Sequence, residues 1–223
     1  PTSLYRVRSA HARWYREWVT SRLPAGPAPR RDVVAPAHAA IYIRATYGFA
    51  MAEGHMDGVR RGAAMFTYRK AIFDVAEDVD DAENTACLLR LAGLEAADLL
   101  HVAWSNRTYR PSHFVAVDHA RRWVVVAIRG TLATRDVLTD VTASQVAFCG
   151  GHAHLGFIKS AAFVEREAAP ALAQAKLNHP DYALVLCGHS MAGSIGAVLA
   201  LAARHGKTAW PTFGGGPPRV FSI

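Results

Sequence analysis

Apolar positions in this chain recur with a helical period up to about residue 100 and with a strand-like pattern from residue 112 onward. Over residues 4–22, Tyr5, Trp14, Trp18 and Val19 form one apolar stripe and arginines fill the rest, which predicts an amphipathic helix. Pro24-Ala-Gly-Pro-Ala-Pro29 then breaks the pattern as a linker. Further helices are expected over 37–50, 57–78 and 82–92, with a short one near 95–100. Beyond residue 112 the runs shorten and become β-branched. His113-Phe-Val-Ala-Val117 reads as a strand, Asp118-His-Ala-Arg121 as a turn, and Trp123-Val-Val-Val-Ala-Ile128 as a strand buried on both faces. Helices over 134–142 and 157–176 alternate with strands over 182–187 and 209–213. Antiparallel opening strands followed by strand–helix alternation predict an α/β sheet. The predicted organisation is a basic helix with its Pro-rich linker over 1–30, then one domain over 31–223 that opens with helices.

The sharpest local signal is Leu184-Val-Leu-Cys-Gly-His-Ser-Met-Ala-Gly193, which runs into the small-residue helix Ser194-Ile-Gly-Ala-Val-Leu-Ala-Leu-Ala-Ala203. This is strand, tight turn and helix, with Ser190 at the apex. Such a turn strains the serine backbone and pushes its hydroxyl out beyond the strand end. Small neighbours are needed because strand and helix approach closely. The N–H groups at the start of the helix stabilise an anion placed there. Ser190 is therefore the candidate nucleophile. The bland alternative is a βα turn with an incidental serine, and Ala192 stands where Gly-x-Ser-x-Gly has its last glycine.

Composition narrows the classes. The 223 residues, 51% hydrophobic and 19% charged, suit one globular domain with a sizeable core. No run approaches the roughly 20 apolar residues of a membrane-spanning helix. The formal charge of +7 owes much to arginines near the N-terminus. A nucleic-acid partner would call for basic residues interleaved with aromatics on one platform, or a known module; neither is seen, so no nucleic acid is expected. A solvated arginine-rich surface is the plain account, and a basic face toward anionic lipid headgroups is the functional alternative. Cys87, Cys149 and Cys187 match no zinc or redox spacing, and an odd count builds no disulfide framework, which favours a reducing compartment. The acids between Asp57 and Glu83 read as a solvated face. His152 and His154 lack acidic or cysteine partners nearby, so neither a metal nor a cofactor is expected. The chain starts at Pro1, so the natural protein is expected to begin further upstream, where a signal peptide stays open.

Acyl transfer requires N–H donors aimed at the oxygen on which charge collects. One normally comes from the residue after the nucleophile, here Met191. The other must come from a loop after an earlier strand, and Ile128-Arg-Gly-Thr-Leu132 sits there. Gly130 permits an unusual backbone angle, and Thr131 offers an N–H and a hydroxyl. Ile128-Arg-Gly-Thr131, Asp136-Val-Leu-Thr-Asp140, His154-Leu-Gly-Phe157 and Gly188-His-Ser-Met191, in that order, resemble the class 3 (fungal-type) lipases of the α/β-hydrolase superfamily. The segment from Asp98-Leu-Leu-His-Val-Ala-Trp-Ser-Asn106 through Phe114-Val-Ala-Val-Asp-His119 is similar to diacylglycerol-lipase-like members. The likeness runs from about residue 85 to the end.

The resemblance implies Ser190 as nucleophile, Thr131 and Met191 as the oxyanion hole, and Asp136 and Asp140 as supports of that loop. It makes His154 to Phe157 a structural brace and places a lid over 141–153. Gly150 and Gly151 would make that lid mobile, and Val146 and Phe148 would touch lipid; a short plain loop is the competing reading. The implied activity is hydrolysis of ester bonds in diacylglycerol or triacylglycerol at a lipid surface, by a cytoplasmic or peripheral membrane protein.

Serine needs a histidine base oriented by a carboxylate, and in this fold the order is serine, acid, histidine. After Ser190 there is no Asp or Glu, and only His205 follows. A straight helix from Ser190 would put His205 about 20 Å away. His189, beside the serine, is expected to point elsewhere as a structural residue. Upstream Asp140, His152 or His154 would break the order of the fold. The expectation is a fragment whose acid and histidine lie beyond Ile223, with little turnover by these residues alone; the alternative is a degenerate lipase-like protein that binds lipid without cleaving it.

Overall fold

The computed structural model describes residues 30–49, 81–105, 107–130, 144–214 and 216–222. The helices expected over 4–22, 57–78 and 134–142 lie outside these residues, as does the linker over 24–29. The chain divides into two compact units, Pro1–Pro36 and Ala37–Ile223. Helix α1 spans Arg30–Ala45 with Pro36 inside it, a longer helix than the one expected over 37–50. Helix α2 is Asp81–Ala92, with acids in its first turn and Arg90 in its last, a distribution that suits the helix dipole.

A short 3₁₀ turn, Ala96–Asp98, leads into strand β1, Leu99–Ala103. The expected short helix near 95–100 is therefore only this turn. The run Leu99-Leu-His-Val-Ala103 is too short for periodicity to tell strand from helix. Strand β2 is His113–Asp118 and β3 is Trp123–Ile128, every residue of both buried. Strands β4, Gln145–Phe148, and β5, Gly151–His154, pair as a separate antiparallel hairpin. Helix α3 spans Leu155–Asn178, strand β6 Ala183–Gly188, helix α4 Met191–Arg204 and strand β7 Arg219–Ser222.

The main sheet has the order β1-β2-β3-β6-β7. Its first three strands pair antiparallel, whereas β6 and β7 add in parallel. Val126 lies opposite both Val115 and Leu186, so the three share one face. On that face they join Val124, Ile128 and Leu184 under Val164, Ala168 and Leu172 of α3 and Ile195 and Leu199 of α4. The alternate residues Phe114, Val125, Val185 and Cys187 are buried too. A strand buried on both faces loses the apolar–polar alternation, which is why β3 reads as a continuous β-branched run.

No strand forms over the expected 209–213. Trp210 and Phe213 are buried there, but Pro211 removes a ladder donor. The segment is fastened instead to α3, with Ala209 N–H and Trp210 Nε1 donating to the Glu165 carboxylate and carbonyl at 2.9 Å each. The strand that does extend the sheet is β7, after Pro217-Pro218. Within the expected lid or plain loop over 141–153, residues 141–143 lie outside the described residues and the rest is built as this hairpin: Cys149 (φ 49°) and Gly150 (φ 81°) make a two-residue turn with both φ positive, which matches strand twist. Phe148 packs against the core instead of facing outward. Cys87 and Cys187 are buried and Cys149 is half-buried at this turn; all three are free thiols.

Candidate active site

Strand β6 delivers the chain to Gly188 at the edge of the core. A side chain at Gly188 would put Cβ 2.6 Å from the Ala192 carbonyl carbon and 2.7 Å from its Cβ, so strand and helix meet with no room for one. The methyl of Ala192 thus fits because position 188 carries none. A Cβ at Gly193 would stand 1.9 Å from Ser222 Oγ, which shows how closely β7 passes the first turn of α4.

Between these glycines the backbone reverses. Ser190 has φ 58° and ψ −124°, a region that costs a non-glycine residue about 1–3 kcal/mol. Ala192 N–H returns to His189 O at 3.2 Å and Gly193 N–H to Ser190 O at 3.0 Å. Ser190 stands at the N-cap position of α4, yet its hydroxyl caps nothing there, and the residue is exposed. Met191 is the first residue of α4.

The loop after β3 begins against this elbow. A Cβ on Gly130 would lie 2.6 Å from His189 O, so the backbones of positions 130 and 189 are in contact. Thr131, Asp136 and Asp140 lie outside the described residues. Arg129 holds the start of the loop through its N–H to Ser112 O at 2.9 Å.

The described histidines have other places. His189 Nδ1 lies 3.2 Å from the Tyr47 hydroxyl. His205 follows the last turn of α4, at the opposite end of the helix from Ser190. His154 is the N-cap of α3, its Nδ1 accepting Gly156 N–H at 2.9 Å, and its ring stacks on Phe157 at 4.5 Å. His152 is exposed on β5. His38 meets Arg121, and His119 lies between Asp98 and Tyr182. His113 is buried, and desolvation drives its imidazole down to about 4 although Nδ1 bonds Pro111 O. Burial likewise lowers its neighbour His101. Among the described residues, no group of three or more His, Cys, Asp or Glu could hold a metal ion. A cleft lined by Leu184, Arg204, Trp210 and Phe213 lies at the far end of α4 and takes no part in the elbow.

Sequence comparison adds the family. Residues 125–223 match the family described as Lipase (class 3). Over these residues the chain is similar to the class 3 lipases. Mouse diacylglycerol lipase-beta is 32% identical over 155 residues, covering 66% of this chain and 23% of that protein. That alignment is longer than the family match, so it reaches upstream of residue 125, as the resemblance from about residue 85 implied. A secreted mono- and diacylglycerol lipase 1 of Fusarium solani is 32% identical over 112 residues, 48% of this chain and 33% of that one. The chain thus spans about a quarter to a third of the length of these relatives. Among solved structures, the chain is similar to a triacylglycerol lipase whose catalytic centre is a serine protease triad, with TM-score 0.50 and 18% identity over 80% of this chain and 58% of that one. That structure shares the fold, an α/β-hydrolase sheet. Tyr47 was missed by sequence reasoning: it lies 142 positions from His189, and no local pattern links them.

Proposed function

We propose that the protein is an ester hydrolase of acylglycerols in which Ser190 attacks the acyl carbonyl and water then releases the fatty acid. The observation that carries this reading is the elbow: an exposed serine at φ 58° between a buried strand and a helix N-terminus, with the loop after β3 against it. In this reading Met191 and Thr131 supply the N–H groups that meet the oxyanion, and Asp136 and Asp140 support the Thr131 loop. The acylglycerol class comes from the relatives, which are named as diacylglycerol and mono- and diacylglycerol lipases. The base and its carboxylate are not assigned, because no acid follows Ser190 in this sequence. The second reading is a lipase-like protein that binds lipid without cleaving it.

A fluorophosphonate probe separates the two. The intact natural protein is expected to label, and Ser190→Ala to abolish both labelling and diacylglycerol hydrolysis. Labelling that persists in S190A would remove Ser190 from the mechanism.

Contact with a lipid surface belongs to the same proposal. The arginines and tryptophans of residues 4–22 have the composition of an interfacial helix. Deleting residues 1–23 is expected to weaken binding to anionic vesicles in a sedimentation assay; unchanged binding would take that segment out of the reading. Among the described residues no helix is long and apolar enough to cross a membrane.

A further inference from the structure

We infer that Tyr47 is a positioning residue for Ser190, its hydroxyl clamping the elbow, through His189, against the loop that follows β3. The inference rests on the reading of Ser190 as nucleophile and deepens it. Three separate pieces of chain meet at this hydroxyl. It lies 3.2 Å from His189 Nδ1, one residue before the serine. A Cβ on Gly130 would lie 2.9 Å from it and 2.6 Å from His189 O, so only glycine lets phenol, loop and elbow meet. The guanidinium carbon of Arg129 stands 5.7 Å from the Tyr47 ring centroid, a cation–π contact on the residue just before Gly130.

Tyr47 is itself held from several sides. It follows α1, and Thr46 Oγ1 closes that helix end by donating to Ile43 O at 2.7 Å. Gly48 takes φ 70°, which turns the chain so that Phe49 N–H reaches Asn84 Oδ1 of α2 at 2.9 Å. One turn earlier Tyr42 donates to the Asp118 carboxylate at the end of β2. The phenol is thus fixed by α1, α2 and the sheet before it touches the elbow. A side chain held this way sets a position instead of following one. The strained Ser190 backbone needs such an outside constraint, because left alone it relaxes toward a commoner conformation. Tyr47 lies outside residues 125–223, the part that matches the family, whereas Arg129, Gly130 and His189 lie inside it.

The test uses the intact natural protein and a soluble short-chain nitrophenyl ester, so that lipid binding does not enter. Tyr47→Phe keeps the ring over Arg129 and removes the hydroxyl. It is expected to lower kcat roughly tenfold with KM nearly unchanged and the melting temperature little moved, the signature of a displaced reacting group. In a His189→Ala background the same change is expected to have almost no further effect, since both substitutions cut one contact. A lower melting temperature with kcat intact in Y47F, or effects that simply add in the double variant, would make Tyr47 a structural brace only and overturn the inference. Hydrolysis that survives S190A would overturn the nucleophile reading and this one with it. Hydrolysis abolished in S190A but untouched in Y47F would overturn this one alone.

Discussion

Ser190 pays in backbone strain for a hydroxyl that points out of the fold. Glycine at that position has no Cβ to resist φ 58°. Ser190→Gly is therefore expected to stabilise the protein by about 1 kcal/mol, read as a higher urea midpoint, while abolishing probe labelling. The flanking glycines predict the opposite. Gly193→Ala forces a Cβ into Ser222 Oγ at 1.9 Å and Cβ at 2.7 Å, at a cost of about 1–3 kcal/mol. Ser222→Gly empties that space and is expected to recover part of the loss in the double variant. Gly188→Ala meets the backbone and Cβ of Ala192, so no single side-chain change on β7 is expected to rescue it. These glycines and the serine were legible in the sequence because their requirement is local: a strand, a reversal and a helix within a dozen residues. The clamp on His189 was not, because Tyr47 and Gly130 come to it through the fold.

At the scale of elements, β2 and α3 carry a titration. His113 is 1% exposed, and its ring meets Phe163 of α3 edge-on at 5.8 Å and lies 5.1 Å from the His101 ring. Desolvation holds it at about 4, against 6.5 for a free imidazole. The folded state thus binds fewer protons than the unfolded one between those values. Stability from this site is complete above pH 6.5 and is lost as pH falls toward 4, by an amount on the order of 2–3 kcal/mol. His113→Gln is expected to flatten the fall in urea stability between pH 7 and pH 4.5; an unchanged slope would place the acid sensitivity elsewhere. Asp118 acts in the same direction at lower pH. Burial opposes its ionisation, but the bonds from Tyr42 and Arg121 outweigh that and hold its carboxyl below the ordinary range. Its contribution is present above about pH 4 and fades as pH falls further. Tyr42→Phe is expected to cost about 1–2 kcal/mol at pH 7 and less at pH 3.

The long periodic elements were the readable ones. Strand β3, helix α3 and helix α4 follow from runs whose period matches their packing. The hairpin did not, because Gln145-Val-Ala-Phe148 and Gly151-His-Ala-His154 are four-residue strands with almost no pattern, and the glycines between them read as looseness. The strand expected at 209–213 failed for a different reason. Burial of Trp210 and Phe213 comes from their fit against α3 and the sheet, which apolar spacing alone cannot distinguish from strand pairing.

For the whole molecule, the central strands β2, β3 and β6 of one sheet are buried on both faces, and β6 ends in the elbow. A mixed sheet of this order places the loop after β3 and the turn after β6 side by side, because β3 and β6 are parallel neighbours with Ile128 opposite Gly188. Ser190, the proposed nucleophile, and the start of the loop after β3 therefore come together through strand register. The same register puts Ser222 beside Gly188 on β7, so the edge strand is expected to matter to the site as much as to the sheet. Replacing Val220, which packs on the core, by Asp is expected to lower both the melting temperature and the labelling rate of Ser190.

The thiols offer a practical opening. Cys87 and Cys187 are sealed inside, and burial raises both above the range in which a thiol ionises readily. Cys149 sits half-exposed at the tip of the β4–β5 turn. A maleimide dye added to the unmodified protein should attach there at one equivalent, without any engineered cysteine. Its emission would then report on the surroundings of that ribbon when esters or vesicles are added.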